Sequence, residues 1–171
     1  MTSIDPASPA PASPGPARFE AIEAGMTLPP LVRGPLSTVH LMRWSAAIEN
    51  WHRIHYDEPF ARGHDGLPGL LVSGSWKQHF LVDLLCRWIA PHGWLASIDM
   101  RFSRPSFAGD TLTASGVVTA LQTRGDLGLV HCEVRIKNQD DQENTSGQAT
   151  CALPLAGGGR VPYPYVPPAR T

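Results

Sequence analysis

Residues 75–89 carry a single long apolar stripe, and covering that stripe is what most limits the folds open to this chain. Trp76, Phe80, Leu81, Leu84, Leu85, Trp88 and Ile89 recur at spacings of three, four and five, with Val82 and Cys86 widening the face. This is the pattern of a helix buried along most of its length. Pro91 and Gly93 end it, and the periodicity then changes from helical to alternating. In 127–137, Val130, Cys132, Val134 and Ile136 alternate with His131, Glu133, Arg135 and Lys137, which predicts a strand with one buried and one wet face. Strands are also expected over 94–104 and 110–121, and around Ala149, Cys151 and Leu153. The turn-rich links between them suit antiparallel connections.

One long apolar helix followed by four antiparallel strands is an α+β layout. No other element can cover the helix, so the sheet must wrap it, which is a single hot-dog fold. Before the helix, 28–33 reads as a short edge strand limited by Pro29 and Pro30. Ser37 or Thr38 caps a helix to about Ile48, with Val39, Met42, Ala46 and Ala47 near one face. A short helix is expected over 58–62. Lys77 and His79 are assigned to the polar edge of the long helix, and Trp76 and Trp88 to the core.

The 171 residues fit one domain. Residues 1–20, with five prolines between Pro6 and Pro16, read as a disordered Pro/Ala/Ser tail. The hot-dog domain is placed at 21–156. An irregular Gly/Pro-rich segment follows at 157–171, where Val161, Tyr163, Tyr165 and Val166 could pack across a surface. Fourteen basic and fifteen acidic residues leave a net charge of −1, so the balance offers no electrostatic case for nucleic acid or an anionic membrane. No apolar run is long enough to span a bilayer and no secretory signal is evident. Cys86, Cys132 and Cys151 lack metal-type spacing and are expected as reduced, buried thiols in a cytoplasmic protein.

Chemistry concentrates just before the long helix. His52, Arg53, His55 and Asp57 fall within six positions beside Trp51, Tyr56 and Phe60, and Ser73-Gly74-Ser75 then opens the helix. Titratable groups beside a helix start, where N–H groups are unpaired, suit acyl chemistry. An imidazole exchanges a proton near neutrality, so His55 is the candidate general base. The Gly74 N–H is a candidate donor to a developing enolate, because no Cβ blocks its approach to a thioester carbonyl.

The run from His52 to Asp57, with Ala61-Arg62, Gly66-Leu67-Pro68-Gly69-Leu70 and Val72-Ser73-Gly74, resembles the MaoC-like dehydratases. The branch is the one related to mesaconyl-C4-CoA hydratase and mitochondrial 3-hydroxyacyl-thioester dehydratase. The stretch Met100-Arg101-Phe102-Ser103-Arg104-Pro105 with Phe107, Gly109 and Asp110 fits as well. The resemblance covers roughly 25–155. It implies a hot-dog fold, an acyl-CoA or acyl-carrier-protein thioester as substrate, reversible water addition across a 2,3-double bond, and no cofactor or metal. The broader family's aspartate, asparagine and histidine fall on Asn50, His52 and His55. An amide cannot take a proton, so Asn50 is expected to orient water, with His52 fixing the water or the ring. Asp57 could orient His55, pair with Arg53 or cap the following helix. Trp51, Tyr56, Asp57 and Arg53 are the candidate substrate-binding residues.

Other readings stay open. His52, His55 and Asp57 could ligate a metal. Asp83 could serve a hydrolytic thioesterase. Asn50 in the aspartate's place fits a catalytically silent subunit that supports a second hot-dog chain. A homodimer, or such a heteromer, would close the open sheet edge.

Overall fold

The computed structural model describes residues 18–158 and 160–162, so the expectations for residues 1–17 and for Tyr163, Tyr165 and Val166 lie outside the described residues. The last residues of the expected tail are ordered: Phe19–Ala21 form a 3-10 turn, and Phe19 packs against the core. Five antiparallel strands form one sheet in the order β1-β3-β4-β5-β2. These are β1 Leu31–Arg33, β2 Trp94–Phe102, β3 Leu112–Arg124, β4 Leu127–Lys137 and β5 Glu143–Pro154. The two-residue link Gly125-Asp126 joins β3 to β4, and Gly125 takes φ +57°, the left-handed conformation that such a tight hairpin favours.

The long helix, α3, spans Gly74–Ile89 and lies against the concave face of this sheet. Phe80, Leu81, Leu84, Leu85 and Ile89 are buried against Val118, Val130, Cys132, Val134, Ile136, Cys151 and Leu153. Each such side chain contributes about 1.5–3 kcal/mol on burial, so the helix and the strands that it meets stabilise the fold together. Trp76 and Trp88 pack on the same cluster, as expected. Strand β1 is shorter than the expected 28–33: Thr27 and Leu28 also pair with β3, but Pro29 and Pro30 cannot donate and break the ladder, which resumes at Leu31.

Three assignments are corrected by the packing. Helix α1 (Thr38–Ala47), capped by Ser37, buries Leu41 and Ser45, whereas Val39, Met42, Ala46 and Ala47 face outward. The helix is anchored through Trp44, whose indole reaches Ser75 on α3, and this turns the other stripe to solvent. Lys77 is not on the polar edge; it is 3% exposed, while its neighbour His79 is exposed and lies against Trp44. Cys86 is exposed, while Cys132 and Cys151 are buried in the core, where burial raises their thiol pKa values. Among the described residues no helix is long and apolar enough to cross a membrane.

Candidate active site

The site is assembled by one extended segment, residues 70–73, clamped on both sides. Leu71 N–H donates to Ile54 O at 2.9 Å, Val72 N–H to Ser106 O at 2.8 Å, and Ala108 N–H to Leu70 O at 2.9 Å. Segment 70–73 therefore carries the chain from the His52–His55 turn into the start of α3. Helix α1 ends at Ala47, Glu49 adopts a positive φ of 54°, and Asn50 N–H returns to Ser45 O at 2.9 Å, which aims the chain into the turn. Residues Arg53–His55 form a single 3-10 turn. His52 caps it through Nδ1, and Asn50 Oδ1 accepts from His52 N–H at 3.2 Å.

His55 is 7% exposed, and its Nδ1 lies 2.8 Å from Leu71 O. A carbonyl oxygen only accepts, so Nδ1 holds the proton and the neutral ring keeps its lone pair on Nε2. His55 lines a small cavity of about 10 Å³ with Leu41, Trp44, Ser45, Leu71, Val72, Ser73 and Trp76. That is close to the least room one water molecule needs, so an acyl group would enter only if the lining side chains moved.

The other polar groups near the cavity form a hydrogen-bonded chain. Trp44 Nε1 donates to Ser75 Oγ at 3.0 Å, and Ser75 Oγ lies 2.7 Å from Ser73 Oγ. A hydroxyl has two acceptor lone pairs, so either serine can donate to the other, and when Ser75 donates the Ser73 proton is available to a ligand atom. Ser73 is the N-cap of α3 and was not singled out in the sequence for this role; its place between Val72 and Gly74 was the available signal. Gly74 is the first residue of α3, where N–H groups have no intrahelical acceptor. A Cβ at position 74 would sit 3.3 Å from the Phe102 ring, so glycine there permits a close approach.

The remaining sequence candidates lie around this centre. Asp57 does not contact His55; it caps α2 (Glu58–Gly63) by accepting from Phe60 N–H at 3.1 Å and takes two bonds from Arg53, at 2.9 and 2.6 Å. The Arg53 guanidinium holds the Asp57 carboxyl below the usual carboxylate range. Arg53 also stacks over Phe60 at 4.3 Å. Tyr56 Oη donates to Trp51 O at 2.7 Å, leaving the Trp51 side chain 57% exposed. The His52 ring stands edge-on to His55 with centroids 6.2 Å apart. Among the described residues no group of three His, Cys, Asp or Glu is placed to hold a metal, which removes the support for His52, His55 and Asp57 as ligands. Asp83, the thioesterase candidate, is tied to Arg33 at 3.3 Å and Arg87 at 2.7 Å, well along α3 from His55.

Comparison with known proteins bears on the family and the fold. Residues 30–108 match the family model described as hydroxyacyl-thioester dehydratase type 2. A 44-residue stretch is 48% identical to mesaconyl-C(4)-CoA hydratase from Chloroflexus aurantiacus, covering 26% of this chain and 16% of that protein, so the match spans a small part of the relative's length. The (R)-hydratase from A. caviae involved in PHA biosynthesis superposes with a TM-score of 0.71 at 24% identity, over 79% of this chain and 99% of that one. A chain of the ChsH1-ChsH2 complex from Mycobacterium tuberculosis gives 0.68 at 21% identity, over 77% and 98%. At these identities the structural likeness establishes the hot-dog fold.

Proposed function

This is a MaoC-like chain with a hot-dog fold, and we propose that it hydrates 2,3-enoyl thioesters, or dehydrates the 3-hydroxyacyl thioesters in reverse. The observation that carries the reading is the Nδ1 bond of His55 to Leu71 O, which leaves a buried, oriented Nε2 lone pair beside the start of α3. In hydration, Nε2 takes a proton from water as the oxygen attacks C3 of the enoyl group. The imidazolium then returns that proton to C2, so one group serves both steps. Charge that develops on the thioester oxygen meets the Gly74 N–H and the Ser73 hydroxyl at the helix start. Asn50 and His52 hold the 50–55 turn and, on this reading, help position the water. Arg53, Asp57, Tyr56 and Trp51 form the mouth through which the carrier arm, CoA or acyl carrier protein, enters.

The partner is proposed to be a second hot-dog chain. Strand β2 has β5 on one side, and its other edge ends in Trp94 and Phe102, 37% and 47% exposed. A second copy laid antiparallel along β2 would cover both, giving a homodimer. Asn50, which cannot act as a base, favours the alternative of a non-catalytic subunit paired with another hot-dog chain. Assay of the purified chain alone with crotonyl-CoA, beside its mass in solution, separates the two. Turnover by a homodimer supports the hydratase, and a folded but inert chain supports the subunit.

A further inference from the structure

The tautomer of His55 is set by one backbone carbonyl, that of Leu71, so whatever fixes Leu71 also fixes the proton on Nδ1. Leu71 N–H is spent on Ile54 O, and Leu71 pairs across a single β-bridge with Phe107. The flanking bonds, Val72 N–H to Ser106 O and Ala108 N–H to Leu70 O, run to the same stretch, 106–108. That stretch lies outside the helices and the five strands, so its place depends on what its own residues are bonded to.

Asp110 supplies those bonds. Its Oδ2 accepts from Phe107 N–H at 2.8 Å, and its own N–H donates to Phe107 O at 3.1 Å, so side chain and backbone close the 107–110 turn together. A carboxylate that accepts from a backbone N–H makes one of the stronger hydrogen bonds in a protein. Gly109 takes φ +99° inside this turn, a conformation that suits glycine. Asp110 Oδ1 accepts from Gln139 Nε2 at 3.3 Å, and Gln139 Oε1 accepts from Thr111 N–H at 3.0 Å, which ties the turn to the link between β4 and β5. On the other side, Gly109 N–H donates to Leu36 O at 2.7 Å and Leu36 N–H to Asp110 O at 2.9 Å. Leu36 is buried and precedes Ser37, the N-cap of α1. The turn thus joins segment 70–73, the sheet and the start of α1, the helix whose Leu41, Trp44 and Ser45 line the cavity with His55.

We propose that Asp110 is a positioning residue for His55: through Phe107 and Leu71 its carboxylate holds the carbonyl that keeps the imidazole proton on Nδ1 and the lone pair on Nε2. Its bearing on catalysis rests on the hydratase reading, but the tautomer can be observed without turnover. Removing the carboxylate frees Phe107 N–H and loosens the bridge to Leu71. A neutral imidazole has two tautomers, and with no fixed acceptor at Nδ1 the two mix.

The experiment is a long-range proton–nitrogen correlation spectrum of the imidazole rings at about pH 8.5, above the range in which imidazole ordinarily titrates. The His55 signals are assigned by their loss in His55→Gln. The parent is expected to show one protonated and one unprotonated nitrogen for His55. In Asp110→Ala these two signals move toward each other, while those of His131, which bonds Thr150 within the sheet, stay in place. For crotonyl-CoA, kcat falls by about tenfold with KM little changed. Asp110→Asn keeps an acceptor for Phe107 N–H but loses the charge, so it shows both effects in smaller size. A folded Asp110→Ala whose His55 signals match the parent overturns the proposal; if that variant does not fold, the same match in Asp110→Asn does so. Movement of His131 together with His55 marks a general loosening and also overturns it, as does a parent whose His55 tautomers are already mixed. If the parent turns over no enoyl thioester, the hydratase reading fails, while the nitrogen signals still decide the role of Asp110.

Discussion

Trp44 on α1 and Ser75 on α3 are joined by a 3.0 Å hydrogen bond, which occupies one lone pair of the Ser75 hydroxyl that lies 2.7 Å from Ser73 Oγ. Trp44→Phe keeps the ring and removes only this N–H. One hydrogen bond is worth about 0.5–1.5 kcal/mol, so kcat should fall by about three- to tenfold with KM little changed. Steady-state kinetics beside a melting curve check this. A fall in Tm with kcat intact would assign Trp44 to packing alone.

Gly74→Ala separates the fold from the chemistry. The new Cβ meets the Phe102 ring at 3.3 Å, a contact that a half-exposed side chain can relieve by moving. Alanine is also favoured over glycine in a helix by about 1 kcal/mol, so the melting temperature should change little. Activity should drop by about tenfold or more, since the Cβ crowds the N–H assigned to the thioester oxygen. Unchanged activity would remove Gly74 from the site.

Asp57 belongs to the scaffold. Asp57→Ala removes the cap on α2 and the Arg53 partner, and cap loss costs about 1 kcal/mol. A lowered Tm is expected with kcat of the folded protein largely retained. Asp57→Asn, which can still cap, should recover most of the loss.

Much of this arrangement was legible in the sequence, because hydrophobic periodicity encodes burial directly. The α3 stripe and the alternation in β4 identify the helix and the face it meets. His55 and Gly74 were singled out from residue type and position, and the structure puts His55 on the small cavity and Gly74 at the first position of α3. Lys77 was not: a lysine on an apolar helix reads as a solvated edge, and only its bond to Arg104 O shows that it is enclosed. Helix α1 was misread for a related reason. Val39 and Met42 are apolar, yet the inward stripe is that of Leu41 and Ser45, on the side where Trp44 bonds Ser75. Periodicity cannot report a side-chain hydrogen bond to another element, nor what a second chain covers.

Lys77 gives a pH dependence whose sign is fixed by its shift. Its folded pKa is lowered to about 8 from the ordinary 10.5. Between these values the unfolded chain holds a proton that the folded chain has released, so this group's contribution to stability rises with pH across that window. Below about pH 8 both states are protonated, and the destabilising effect of burying the charge is fully present. Lys77→Met should therefore be more stabilising relative to the parent at pH 7 than at pH 10. Denaturant midpoints of the two proteins at both pH values measure it; a difference that does not shrink with pH contradicts the enclosed ammonium.

The most direct test of the account is hydration of crotonyl-CoA, followed as loss of the conjugated thioester's absorbance, by the purified protein and by His55→Ala. The account predicts turnover by the parent and a loss of about a thousandfold or more in the variant, with the melting temperature showing that it remains folded. Turnover that survives in His55→Ala would contradict it, since His55 is the one titratable side chain that lines this cavity among the described residues.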